Sequence, residues 1–347
     1  MKKVTIYDLS NKLGISTATV NRALNNKPKV SDETRQLVIK TAKELGYKPS
    51  RAASSLSRTP IKIGFVITCS IHDFLVEVEA GARQAFTELA DFNLSGEFIF
   101  VSENTSQDTY ISQIKEFANK GFDGIILMPH TNERLTRIAC DYIKSKGIYF
   151  ATIVSDVQAN RLFSVRNNGV IAGRMAAEML SFMVQDNSPI VMVTGNKDSV
   201  VHAETVTGFI EFANKCNLNF VGVYEHQDDP DIGYILANKI INDYPDIGGI
   251  YLGSANSVTF CKRICELGKG GQIKIVASDI FPVMVNLIQQ GIVNASIFQN
   301  PYMQGMKSVQ FMFDYLAEDR KINQDPILLD PQIILKSNLD LFVPKHI

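Results

Sequence analysis

From Ile61 onward, short apolar segments alternate with amphipathic ones, and that alternation leaves few architectures open. Ile61–Thr68, Phe98–Val101, Gly124–Met128 and Ile148–Val154 read as strands. Leu75, Val78, Ala82, Ala85 and Leu89 mark the inward face of the first intervening helix. A second series follows at Ile190–Thr194, Phe220–Tyr224, Gly249–Leu252, Ile273–Ala277 and Asn294–Phe298. Strand-helix-strand order of this kind builds parallel sheet, and two series imply two similar lobes in an α/β body over residues 61–347. No sequence repeat of fixed period accompanies the two series. A chain of 347 residues exceeds what one core usually sustains, so further domains are expected.

The net charge of -1 hides an uneven distribution. Residues 1–60 hold 12 Lys/Arg against 4 Asp/Glu, and the remainder holds 23 against 32. A basic head on an acidic body is what a nucleic-acid-binding module joined to an unrelated domain gives, because neutralising phosphates releases counterions. In the head, Thr5 caps a helix, Asp8 reaches back, Leu9 and Leu13 share one face, and Gly14 ends it. Ser16 caps a second helix whose Val20 and Leu24 turn inward and whose Thr17, Ala18, Asn21 and Arg22 turn outward. Ser31 caps a third, with Leu37, Val38, Thr41, Ala42 and Leu45 supplying a core before Gly46. Two short helices across a glycine turn form a helix-turn-helix. Arg22 and Asn21 suit base edges, while Tyr7, Ser16 and Thr19 suit phosphates.

Val4 to Leu9, Gly14 to Asn25, Val30 to Arg35 and Glu44 to Ala53 closely resemble the headpiece of the lactose/galactose repressor family. The resemblance implies that Thr17, Ala18 and Arg22 read bases and that Tyr7, Ser16, Thr19, Asn21 and Asn25 hold the DNA backbone, with Thr5 beside them. Asn21 stands where a serine is common. After a headpiece of residues 1–49, the segment 50–60 has good helix formers around the single large apolar Leu56, and is poised to fold on binding. It resembles the family's hinge helix, which implies that Ala53 and Leu56 meet the minor groove, Leu56 opening a central base step.

In open parallel sheets ligands bind beyond the carboxyl ends of strands. His72 to Phe74, His130 and Thr131, Arg166 to Asn168, Asn196 to His202, Gly253 to Asn256, Asp279, and Gln299 with Asn300 occupy such places. Hydroxyl, amide, carboxylate and imidazole groups with one aromatic suit a polyhydroxylated ligand. Gly64 to Ile67, Asp123 to Leu127, Ala277 to Asp279 and Gln299 to Gly305 resemble ribose-type periplasmic sugar-binding proteins and the sensor domains of the same repressor family. That resemblance implies that Asp279 and Gln299 hydrogen-bond a sugar and that Phe74 packs on its ring. It implies lobes of about 61–158 with 300–325 and about 162–297 with 330–347, crossed near 156–166, 298–302 and 325–333. Thr205 stands where the family usually has an effector-gripping arginine, and Asn168 where it has an aspartate. Either Arg166 replaces that arginine from another strand, or the effector lacks a negative or strongly polar group. With His72, Thr131, His202 and Ser254, these residues form the expected effector site.

No phosphate-binding glycine loop, nucleophile elbow or metal-spaced histidine pair occurs, so no catalytic residue, cofactor or metal is expected. The five cysteines fall on apolar or helical stretches without zinc spacing, and Cys261 and Cys265, four apart on one helix face, read as small buried thiols. No signal-peptide core or run of ~18 apolar residues occurs, which makes a cytoplasmic chain the expectation. Leu339 to Val343 is too short for an added coiled-coil helix, so a homodimer is expected. The reading is a non-enzymatic transcriptional regulator, most simply a repressor, on a near-palindromic operator, controlled by a sugar-like effector. A regulator of the same kind answering mainly to a protein partner is the alternative.

Overall fold

The computed structural model describes residues 4–24, 28–47, 59–69, 72–102, 104–255 and 257–342. The expected hinge segment, including Ala53 and Leu56, and Asn25 in the headpiece lie outside them. The chain divides into two compact units, one built on the first 60 residues and one on the rest.

The first unit is three helices, α1 (Ile6–Leu13), α2 (Thr17–Leu24) and α3 (Asp32–Glu44). Each start is fixed by a side chain that answers an otherwise unpaired backbone N–H. Thr5 and Asp8 form a reciprocal capping box on α1. Ser16 Oγ accepts from Thr19 N at 3.1 Å, and Ser31 Oγ accepts from Thr34 N at 3.2 Å. Gly14, at φ 63°, ends α1 in the left-handed region. Leu9, Val20, Ala23, Val38 and Ala42 close the core, ringed by Ile6, Leu13, Ile15, Leu24 and Leu45. Leu37, expected inward, is 53% exposed. The inward stripe of α3 runs through Val38, Thr41 and Ala42, and two eight-residue helices cannot cover the flank beside it.

The second unit opens with β1 (Ile61–Cys69), α4 (His72–Leu89), β2 (Leu94–Ser102), α5 (Gln107–Ala118), β3 (Gly124–Leu127), α6 (Glu133–Ser145), β4 (Tyr149–Ile153) and β5 (Ser164–Asn167). It continues with α7 (Gly169–Met183), β6 (Ile190–Thr194), α8 (Val200–Lys215), β7 (Phe220–Glu225), α9 (Pro230–Asp243), β8 (Gly249–Leu252), α10 (Val258–Glu266), β9 (Lys274–Ser278), α11 (Pro282–Gln289) and β10 (Ala295–Phe298). Last come α12 (Pro301–Glu318), β11 (Ile327–Leu329) and β12 (Gln332–Ile334). Two six-stranded sheets result, in the orders β11-β5-β4-β3-β1-β2 and β12-β10-β9-β8-β6-β7. The central pairings are parallel, and β12 runs antiparallel to β10 at the edge of the second sheet.

Alternation along the strands serves both faces of each sheet. In the second lobe, Val191, Val193, Ile250 and Leu252 face one helical layer, while Ile190, Met192 and Tyr251 face the other. In the first, Val66, Ile125 and Leu127 meet Ile114, Phe117 and Ile143.

The chain passes between lobes three times: after Asn167, after Phe298 and after Leu329. The first passage corrects the expected one near 156–166, and the boundaries at about 158 and 162 move with it, because β5 pairs with β4 and β11 inside the first sheet. The expected first-lobe segment 300–325 likewise extends through β11. Ser164, Arg166 and Asn167 make β5 too polar to read as a strand, yet its backbone is paired on both sides.

Each lobe is held by a pair of helices crossing at reciprocal glycines. A Cβ on Gly81 of α4 would stand 1.8 Å from Tyr302 O, and one on Gly305 of α12 would stand 1.9 Å from Val78 O. In the second lobe, a Cβ on Gly173 of α7 would meet Thr205 O at 2.0 Å, and one on Gly208 of α8 would meet Val170 O at 2.0 Å. Backbone cannot yield as a side chain does. Gly208→Ala is therefore expected to destabilise by about 1–3 kcal/mol or more, read as a lower thermal midpoint. Gly222→Ala, whose Cβ would meet nothing closer than 3.8 Å, is expected to leave the midpoint unchanged. Equal midpoints for the two variants would refute the tight crossing.

Of the cysteines, Cys140 and Cys261 are buried, their thiol pKa values pushed up to about 12 by burial, Cys265, expected buried, is half-buried, and Cys216 is exposed.

Candidate functional site

Two sites emerge, one in each unit. In the headpiece, burial of Val20 and Ala23 fixes the rotation of α2 and leaves Ala18, Asn21 and Arg22 exposed, with Thr17 half-buried. Tyr7, at the start of α1, is 69% exposed. Ser16 and Thr19 share a hydroxyl contact of 2.9 Å at the N-terminus of α2, the end whose backbone dipole favours phosphate. Thr5 is committed locally, its hydroxyl and backbone N–H both donating to Asp8 Oδ2 at 2.7 Å. Apart from Asn25, Ala53 and Leu56, which lie outside the described residues, the expected DNA-facing residues occupy α1, α2 and their caps.

In the body, a cavity of about 210 Å³ opens at the carboxyl ends of strands from both lobes. The first lobe contributes Phe74, His130 and Thr131, together with Ser155 and Asp156 after β4. The second contributes Asp198, Ser199 and His202, Asp228 after β7, Ala255, and Gln299 after β10. Ser155 Oγ and Ser199 Oγ approach to 3.1 Å across the lobes.

Backbone groups fix both histidine tautomers. His130 Nδ1 accepts from Asn132 N at 2.9 Å, so Nε2 carries the proton of the neutral ring, whose edge meets Tyr110 with centroids 4.9 Å apart. His202 Nδ1 stands 3.0 Å from Asn196 O, a carbonyl that only accepts, so Nδ1 is the protonated nitrogen and Nε2 the acceptor. Asp228 lies 4.0 Å from that ring, accepting from Ser254 Oγ at 2.8 Å and from Asn196 N at 3.4 Å. Gly195 makes room for the pair, since a Cβ there would stand 2.3 Å from His202 Cε1 and 2.6 Å from the Asp228 carboxylate. Behind them, buried His226 accepts from Asp228 N at 3.0 Å, and burial lowers its pKa.

Asp279 sits at φ 59° with no exposed surface. Its carboxylate accepts from Gln299 N at 2.8 Å and from Gln299 Nε2 at 2.6 Å. Burial among neutral partners pushes its pKa up to about 7.

Of the expected effector residues, Phe74, Thr131, His202 and Gln299 line the cavity, and the His72 side chain is outside the described residues. Ser254 stands one step back, donating to Asp228. Asp279 stands behind Gln299. The others are turned to different work. Arg166 makes a bidentate pair with Glu204, Asn168 caps α7 by accepting from Ile171 N at 3.2 Å, and Thr205 donates to Val201 O at 2.7 Å. Arg166, with its guanidinium paired to Glu204, is not among the cavity-lining residues. Asp228 and residues 154–158 escaped the sequence reading. The strand-end rule reaches both once β7 and β4 are included; an expected lobe crossing directly after β4 hides the second.

A helix-turn-helix unit joined to a two-lobed parallel α/β domain with a cavity at its strand ends defines a DNA-binding regulator built on a binding-protein fold. Residues 5–50 match the family described as bacterial regulatory proteins, lacI family, and residues 63–320 match the periplasmic binding protein domain. The chain belongs to the lacI family of bacterial transcriptional regulators, with a periplasmic-binding-protein-like body. It is 25% identical to catabolite control protein A of Priestia megaterium over 72% of this chain and 74% of that one. It is 23% identical to the HTH-type transcriptional repressor PurR of Mannheimia succiniciproducens over 96% of this chain and 98% of that one. The glucose-galactose binding protein GanP of Geobacillus stearothermophilus shares its fold with a TM-score of 0.71 at 22% identity, over 81% of this chain and 99% of that one. Among the described residues, no helix is long and apolar enough to cross a membrane, and no group of His, Cys, Asp and Glu could hold a metal ion.

Proposed function

We propose that the protein is a cytoplasmic, homodimeric repressor whose two α2 helices occupy major-groove half-sites of a near-palindromic operator, and whose affinity for DNA is set by a small polyhydroxylated effector bound between the lobes. The observation that carries this reading is the cavity itself. Strand ends of both lobes converge on it, so occupancy bears directly on how the lobes are arranged. Phe74 offers a ring face, and Thr131, His202 and Gln299 offer polar groups, which together suit a sugar or sugar derivative. The likeness of the body to a glucose-galactose binding protein supports the same reading.

The test begins with DNA selected from a random pool and fluorescence anisotropy at fixed salt. Arg22→Ala is expected to weaken binding by about 1–3 kcal/mol, roughly 10- to 100-fold, and to relax preference at one base pair per half-site. An effector found by thermal shift must change operator affinity, and operator must change effector affinity by the same factor. Unequal factors at equilibrium would end the coupled mechanism, and unchanged sequence preference in Arg22→Ala would end the assignment of that residue to base reading.

A further inference from the structure

We infer that Asp279 is a positioning residue for the effector: it fixes which end of the Gln299 amide the cavity presents, and so whether the ligand group beside that amide must donate or accept a hydrogen bond. This rests on the reading of the cavity as the effector site. Gln299 lines the cavity and Asp279 does not. Asp279 follows β9 at φ 59°, and from that turn its carboxylate meets the crossing after Phe298, where Oδ1 accepts from Gln299 N at 2.8 Å and Oδ2 from Gln299 Nε2 at 2.6 Å. Gln299 O in turn accepts from Gln304 Nε2 of α12 at 3.0 Å. The backbone of Gln299 is thus held by both lobes, and its side-chain amide is the part left able to turn over.

A carboxylate has no proton to give. While Asp279 is ionised it holds Gln299 by Nε2, and the amide oxygen stands on the far side of the group. Reversing the amide would set oxygen against oxygen. Once Asp279 is protonated its hydroxyl can donate to Oε1, the amide reverses, and Nε2 takes the place that the oxygen held. Burial, with neutral Gln299 as its partner, brings that change within ordinary pH by pushing the Asp279 pKa up to about 7. Tyr251 of β8 is the titratable group whose charge bears on Asp279, and its hydroxyl lies 3.3 Å from Ser278 Oγ. β10 meets Asp279 through uncharged groups, Ser296 Oγ donating to Asp279 O and Asp279 N donating to Ile297 O. The demand for a donating ligand group is therefore complete above the folded pKa and is lost as pH falls through it.

The experiment is isothermal titration of the full chain at about pH 5.5 and about pH 8.5 with glucose, galactose, ribose and arabinose, each beside its singly deoxyfluorinated analogues, in which fluorine cannot donate. In wild type, fluorination at one position of a sugar that binds is expected to weaken binding by about tenfold or more at the higher pH and several-fold less at the lower. Asp279→Asn accepts from Gln299 N with Oδ1 and donates from Nδ2, which keeps the Gln299 amide reversed, so the smaller loss is expected at both pH values. Gln299→Ala is expected to remove the pH dependence of that loss. Titration of His130, His202 and the cavity-lining carboxylates is common to wild type and Asp279→Asn. A pH dependence that persists in Asp279→Asn therefore belongs to those groups and overturns the positioning role while leaving the effector site standing. A loss that is the same at both pH values in wild type and unchanged in Asp279→Asn overturns it equally. Absence of binding by all of these sugars removes the effector reading and the positioning role with it.

Discussion

Asp279→Asn is expected to make the folded protein more stable than wild type above neutral pH, with an advantage that shrinks as pH falls. In the folded chain the Asp279 carboxyl titrates near 7 because burial disfavours its charge, against 3.8 for an ordinary aspartate. Folding therefore retains a proton that the unfolded chain has released. Between these two values stability falls as pH rises, with a limiting slope of about 1.4 kcal/mol per pH unit. Across the window the loss is on the order of 4 kcal/mol, and it is complete above the folded value. Asparagine has no charge to desolvate and tolerates the left-handed backbone at φ 59°. Its Oδ1 keeps the bond from Gln299 N, and its Nδ2 donates to Gln299 once that amide is reversed. Urea melts at pH 5, 6, 7 and 8 check this. The midpoint difference between variant and wild type must widen with pH up to about 7 and then level off; a difference constant with pH would show that Asp279 is an ordinary carboxylate.

How much of this was legible before the structure depends on the range of each interaction. Capping is local, so Thr5 with Asp8, Ser16 and Ser31 could be read from neighbours three residues away, and the helix-turn-helix followed. Strand cores were legible because Ile190 to Val193 and their like form short continuous apolar runs, buried on both faces. Between-element facts were not. Gly173 and Gly208 declare their contact only when α7 and α8 are laid together, and nothing near either residue announces it. β5 hid because its stability comes from backbone pairing with β4 and β11, while its side chains are polar. The position of Asp279 at a strand end is legible, but whether its carboxylate faces the cavity or the residue beside it depends on the left-handed turn it occupies. The pairing of Arg166 is hidden for a related reason: its partner Glu204 lies 38 residues away on the other lobe.

That pair carries the second large expectation. Arg166 is 7% exposed in its side chain and Glu204 is 29% exposed, and Arg166 Nη2 donates to Glu204 Oε1 at 2.9 Å. The guanidinium is already short of one partner, since its Nε is buried without one among the described residues. Glu204→Ala strands an always-charged group in the interior and is expected to destabilise by about 3–5 kcal/mol. Arg166→Met strands a carboxylate that water can still reach, so its effect is smaller. The double variant Arg166→Met/Glu204→Ala removes both charges and should recover most of the loss, giving strong non-additivity in urea melts. Simple addition of the two single effects would mean that the pair contributes nothing as a pair. Because Arg166 belongs to β5 of the first lobe and Glu204 to α8 of the second, the bond also favours the lobe arrangement seen here. A comparably destabilising change confined to one lobe, such as Ile240→Ala in the second core, should lower stability without altering effector affinity, whereas Glu204→Ala should alter both. Equal effector affinity in the two variants would reduce the ion pair to a packing feature with no part in the coupling between cavity and operator.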